Sequence, residues 1–156
     1  MSLRLIANWK LNGSRKFNDQ WAEDFLKNYS SSNLKSIGVA PASLYIDHFT
    51  KVIGDIGIKI GAQNISDEES GSRTGEISAS MTKDLGCKFT IIGHSERRMF
   101  FHESNKTISK KLNQADNNSL IPILCIGESS DENKRNDTHE VLEFQINEAL
   151  KALNEL

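Results

Sequence analysis

The sequence predicts an α/β protein built on parallel strands, and three observations carry that prediction. Short, Ile-rich runs largely free of charge recur at residues 3–7, 37–40, 58–62, 89–92 and 121–126. Each is followed by a turn signal: Asn12-Gly13, Ala40-Pro41, the polar stretch after Gln63, Gly93 and Gly127. Segments with helical spacing lie between the runs. Apolar runs of this kind read as strands buried on both faces. Parallel strands need crossover connections, usually helical and almost always right-handed. A β-α unit repeated five times fits either an open doubly wound sheet or a (β/α)8 barrel, and spacing does not choose between them. A complete barrel takes about 250 residues, and this chain has 156, read as a single domain over 1–156.

The helices follow from period-four spacing. Phe17, Trp21 and Phe25 share one face of the first, and Leu44, His48 and Val52 one face of the second. Met81 and Leu85 suggest a shorter third. Ile108, Leu112 and Ala115 mark the fourth, and Leu142, Ile146, Ala149, Leu150 and Leu153 the last. Asp137 and Glu140 have the spacing of a capping pair at the start of that last helix.

Composition narrows the function. Hydrophobic residues make up 37% and charged residues 26%, the balance of a globular chain with a core. A net charge of -2 gives no footprint for nucleic acid or an anionic membrane. No run approaches the ~18 apolar residues of a membrane span. The first residues lack the apolar region of a secretory leader. Two cysteines, Cys87 and Cys125, are too few for a disulfide framework. Together these features place the chain in the cytoplasm.

Ligand sites in both candidate folds sit at the C-terminal ends of the strands, so the residues after each run carry the chemistry. The first run leads into Asn8-Trp9-Lys10-Leu11-Asn12-Gly13. A solvated turn lysine is the plain reading of Lys10, and an anion-binding lysine aimed into the site is the functional one. The fourth run ends in Ile92-Gly93-His94-Ser95-Glu96-Arg97-Arg98. Gly93 permits a sharp turn. A helix starting at Ser95 points the positive end of its dipole at His94, which disfavours a charged ring there. Glu96 and the two arginines have the makings of an ion-pair network. His94-x-Glu96 also opens the zinc-deaminase signature, but the required Pro-Cys-x-x-Cys is absent. The remaining histidines show no ligand spacing. The long acidic stretch from Gln63 to Glu76 is either a surface loop or an arm that docks on a partner subunit. Neither glycine-rich phosphate-binding pattern occurs, which removes the usual support for nucleotide binding.

Four blocks in order and at fitting spacing, Asn8 to Gly13, Thr74 to Ser78, Ile92 to Arg98 and Cys125 to Glu128, resemble the triosephosphate isomerase family over essentially the whole chain. The resemblance implies an incomplete (β/α)8 TIM barrel of five parallel β/α units. It implies a glycolytic isomerase that interconverts dihydroxyacetone phosphate and D-glyceraldehyde 3-phosphate through an enediolate, with no cofactor and no metal. By the family motif, Lys10 is the cation for the phosphate and the enediolate oxygen. Asn8 binds substrate beside it, His94 is the neutral electrophile, and Glu96 pairs with Lys10. Thr74 lies on the loop that enters a neighbouring subunit in a homodimer, with Glu76 and Arg97 as its ionic latch. Cys125 is a buried structural cysteine. The family's base is a glutamate in a Glu-Pro-Val-Trp-type motif, which nothing in this sequence matches. Glu128 belongs to the fifth-strand motif instead. The chain is therefore expected to be inactive alone. The competing expectations are a truncated, non-catalytic phosphosugar-binding or interaction protein, and another phosphosugar enzyme on the same fold.

Overall fold

A computed structural model describes residues 5–29 and 34–151. The apolar runs become β1 (Leu5–Asn8), β2 (Ile37–Ala40), β3 (Lys59–Ala62), β4 (Phe89–Ile92) and β5 (Ile121–Leu124). Every adjacent pair is parallel, and the spatial order is β1-β2-β3-β4-β5. A doubly wound sheet reverses its strand order at a switch point. Sequential order without reversal is that of a (β/α)8 barrel, and the five strands form a curled part of one. The start of the first run at Leu3 and the tail of the last helix at Leu153 lie outside the described residues.

Between and after the strands come α1 (Arg15–Asn28), α2 (Ile46–Ile53), α3 (Ala79–Asp84), α4 (Ser95–Phe100), α5 (Asn105–Asn117), α6 (Ser130–Lys134) and α7 (Thr138–Leu150). The short α4 and α6, which the β-α count did not include, sit just after β4 and β5. Serine side chains start four helices by accepting backbone N–H bonds: Ser14 for α1, Ser78 for α3, Ser104 for α5 and Ser129 for α6. The capping pair expected at Asp137 and Glu140 does not form. Asp137 turns instead to Arg135, whose Nε donates to Oδ2 at 2.7 Å, and makes no cap bond. The reciprocal box is at Ser129 and Glu132, one helix earlier.

The sheet has two apolar faces, assigned by strand alternation. Val39, Ile60, Ala62 and Ile92 join helix residues Ile46, Phe49, Ile108 and Leu112 in the larger core. Ala40, Phe89 and Ile91, with Ile6, Ile123 and Cys125 against them, come from strand segments alone and form the inner, barrel-side core. Close packing there needs Gly61. A Cβ at this position would lie 2.5 Å from three atoms of the Phe89 ring, so the ring fills the place of the missing side chain.

Several helix faces differ from the spacing. In α1 Asn18 and Ala22 are buried while Phe17 is exposed, and in α3 Ala79 and Thr82 are buried while Met81 is exposed; α2 and α7 depart as well. In α2 the buried positions are Ile46, Phe49 and Ile53, whereas Leu44 is 87% exposed and precedes the helix. The large aromatic at 49 and two flanking isoleucines outcompete the alternative stripe of Leu44, His48 and Val52. In α7 the buried residues are Gln145 and Ala149, while Ile146 and Leu150 are more than one-third exposed. The strands are also not all buried on both faces. β1 and β5 flank the sheet, with Leu5 and Ile121 exposed. Pro122, which has no amide donor, is tolerated in β5 because, among the described residues, that strand pairs only with β4.

Candidate active site

The site begins where β1 ends. Trp9 N–H donates to Ala40 O (3.1 Å), so the backbone ladder continues one residue past the strand. The indole then packs edge-on against Phe17, Trp21 and Phe49, with centroids 5.0–5.4 Å away. This aromatic anchor was not singled out from the sequence, where Trp9 reads only as a motif residue. It fixes the residue before Lys10. Lys10 itself adopts a left-handed backbone with φ of 51°, which costs a non-glycine residue on the order of 1 kcal/mol. Asn8 Oδ1 accepts the Lys10 amide at 2.9 Å, and Asn12 Nδ2 donates to Trp9 O at 2.9 Å. The strained turn is thereby held from both sides.

The second part follows β4. Gly93 turns with φ of 71°, and α4 starts at Ser95 as its sequence requires. His94 occupies the N-cap. Its carbonyl accepts from the amides of Arg97 and Arg98 (2.8 and 3.1 Å), and its Nδ1 accepts from Glu96 N–H at 3.3 Å. An amide can only donate, so Nδ1 holds a lone pair and the ring proton belongs on Nε2. Glu96 completes the cluster. Its Oε1 accepts from Lys10 Nζ at 2.8 Å, while Oε2 lies 3.5 Å from His94 Nδ1. The hydrogen bond and charge of Lys10 hold the Glu96 carboxyl below its ordinary pKa. Lys10, Glu96 and His94 are thus brought together on the C-terminal rim. Asn8 is beside them, with its amide Nδ2 unengaged among the described residues.

The expected network of Glu96 with both arginines is not what forms. Arg97 pairs with Glu103 and lies over the Phe101 ring, 4.5 Å from its centroid. Glu103 also takes Lys111, whose Nζ reaches Asn64 Oδ1 at 2.7 Å. Both Glu103 and Lys111 side chains are almost fully buried. Lys111 could have been noticed from spacing, because 108, 111, 112 and 115 form a single helical stripe. Gln145 lies on a similar stripe in α7. Its amide bonds both Gly127 N and Gly127 O (3.0 and 2.9 Å), clamping the backbone after β5.

The loop after β3 has a tied stem and a free tip. Ile65 and Ser66 are buried, and Ser66 N–H donates to Ile77 O at 2.8 Å. Asp67 and Glu68 face Arg73 and Lys110. Thr74 and Glu76 are exposed at the tip. Glu76 makes no ion pair among the described residues, so a contact between Glu76 and Arg97 is not made within this chain. Cys125 packs against the inner core but is only partly buried, short of the full burial that its motif implies. Among the described residues no group of His, Cys, Asp and Glu is arranged to hold a metal ion, and no helix is long and apolar enough to cross a membrane.

Sequential parallel strands with a lysine, a carboxylate and a histidine gathered on their C-terminal rim define a barrel-type α/β protein with its site above the sheet. The family profile described as triosephosphate isomerase matches residues 3–156. The triosephosphate isomerase of Buchnera aphidicola subsp. Schizaphis graminum is 44% identical over 153 residues, which is 97% of this chain and 60% of that protein. The one from Dictyoglomus thermophilum is 42% identical over 151 residues, 96% of this chain and 60% of its own length. The chain belongs to the triosephosphate isomerase family. It spans about 60% of the length of the curated relatives it matches.

Proposed function

We propose that this chain supplies the cationic and electrophilic part of a triose-phosphate isomerase centre, acting on dihydroxyacetone phosphate and D-glyceraldehyde 3-phosphate. The observation that carries the reading is the Lys10–Glu96–His94 cluster on the strand rim. Isomerisation through an enediolate develops negative charge on the substrate oxygens. Fixed donors aimed at that charge stabilise it without reorganising. Lys10 Nζ is the cation for the phosphate and the enediolate oxygen. His94, with its proton on Nε2, donates to the carbonyl and moves protons between the two oxygens. Asn8 Nδ2 is a further donor to substrate. Glu96 acts through Lys10 and the His94 N-cap, holding both in place.

The same reading has no cofactor and takes residues 1–156 as one domain in a cytoplasmic protein. The loop tip at Thr74 and Glu76 docks on a second copy, with Arg97 as countercharge, in a homodimer. None of these carboxylates is assigned as the base that removes the carbon-bound proton. Glu128, the nearest in motif terms, accepts from Asn133 Nδ2 at 3.0 Å after β5. A positioned base contributes roughly 10²–10⁴-fold, so the chain alone is expected to turn over negligibly.

A coupled assay tests this on the purified chain and on the chain extended by the remaining β/α units of its relatives. Turnover only in the extended protein, abolished by Lys10→Met, is the expected result. Full turnover by the 156-residue chain would place the base among its own carboxylates. Binding of triose phosphate without turnover in either form would favour a non-catalytic phosphosugar-binding protein.

A further inference from the structure

Arg98 makes no ion pair among the described residues, although its guanidinium is half-buried. It spends its donors on three oxygens from three elements. Nε donates to Gly93 O at 2.8 Å, Nη1 to Asn105 Oδ1 at 2.7 Å and Nη2 to Cys125 O at 3.2 Å. Those acceptors lie at the end of β4, the start of α5 and just beyond β5. Burial lowers the pKa of the guanidinium. A half-desolvated cation bound by neutral oxygens is costly unless its geometry is used.

Gly93 O belongs to the peptide that joins Gly93 to His94. Its bond from Nε therefore fixes the plane from which the His94 Cα projects. The same residue's amide also binds His94 O at 3.1 Å, so Arg98 grips the backbone on both sides of His94. The Nη2 bond extends the β4–β5 contact beyond its last ladder bond, Cys125 N to Ile92 O at 2.9 Å. Gly93 makes room for this: a Cβ there would lie 3.1 Å from Arg98 Nη2 and 2.9 Å from Ile108 Cδ1.

We infer that Arg98 is a positioning residue that sets the His94 ring by locking the Gly93–His94 peptide against β5 and α5. The inference rests on the reading of His94 as the electrophile. Arg98 touches no reacting atom in this account. A lysine keeps the charge but lacks the fork needed for three acceptors.

The test is ¹⁵N NMR of the full chain. In the native protein a through-hydrogen-bond coupling between Arg98 Nε and the Gly93 carbonyl carbon is expected. The His94 nitrogens are expected as a single Nε2–H tautomer. In Arg98→Lys the coupling is lost, and the two ring nitrogens shift towards the average of exchanging tautomers while amide dispersion is kept. Unchanged His94 nitrogens in a folded Arg98→Lys would overturn the inference, as would absence of the coupling in the native chain. Where Arg98→Lys does not fold, Asn105→Ala removes one acceptor only. Movement of the His94 nitrogens in that variant supports the role, and no movement refutes it. Neither substrate nor turnover enters the measurement, so failure of the isomerase reading leaves its outcome independent.

Discussion

Lys10 Nζ lies 2.8 Å from Glu96 Oε1, joining the end of β1 to the first turn of α4 across 86 positions of sequence. The lysine end is pinned by the Trp9 aromatic anchor and the Asn8 bond. The glutamate end is pinned by its own amide against His94 Nδ1. The pair is therefore a fixed span between two loops.

This contact has a pH signature. The folded pKa of Glu96 is depressed, chiefly by the hydrogen bond from Lys10 and then by its charge. A depressed carboxyl contributes stability above its unfolded pKa, and loses it as pH falls through the lower, folded value. Carbon-13 titration should show Glu96 ionising below an ordinary glutamate, and Lys10→Met should return it towards the ordinary value. An identical titration in the variant would contradict the contact.

The Glu103–Lys111 pair predicts a stability loss. Both side chains are about 95% or more buried, and removing Glu103 leaves the Lys111 charge with only the neutral Asn64 Oδ1, whereas Glu103 without Lys111 keeps Arg97. Glu103→Leu is expected to cost about 3 kcal/mol by urea denaturation, and Lys111→Met less, because Arg97 still faces Glu103. Glu103→Leu combined with Lys111→Met should cost less than the two single losses added, because the changes share one interaction. Strict additivity would mean that the pair is not coupled.

Gly61→Ala tests the inner core. The added methyl would stand 2.5 Å from three Phe89 ring atoms, so overpacking of about 1–3 kcal/mol is expected. Phe89→Leu in the same chain should recover part of that loss. A neutral Gly61→Ala would show that the ring moves aside freely.

The thiols should be slow to react in the folded state. Burial pushes Cys87 up to about 11 and also raises Cys125. Alkylation near pH 8 should spare Cys87 in the native chain and reach both cysteines after denaturation, because the thiolate is the reactive form. Prompt labelling of native Cys87 would contradict its burial.

Strand positions were legible because the apolar runs and their glycine turns are local features. Residues 37–40 and 89–92 became strands with the expected bounds. The start of α4 was legible for the same reason: Gly93 permits the turn, and the polar residues after it form the first turn of the helix. The α2 face was misread because two stripes of similar spacing compete there, and packing against Trp9 and Trp21 selects the one with Phe49.

By itself, then, the sequence determined the alternation of strands and helices, the family-matching blocks and the rim residues Asn8, Lys10, His94 and Glu96. Each is encoded within a few neighbouring residues. Strand spacing left a barrel and a doubly wound sheet open and the family resemblance implied the barrel; the tertiary structure decided it by laying the strands in sequential order. It also decided which oxygens Arg97 and Arg98 meet, whereas the pairing of Glu96 with Lys10 was already implied by the family motif. Glu96, Arg97 and Arg98 are adjacent in sequence, yet they face Lys10, Glu103 and the strand-end carbonyls respectively. A helix turns each successive residue by about 100°, so neighbours in the chain point at different elements. Those elements are placed by strand register and core packing across the whole sheet.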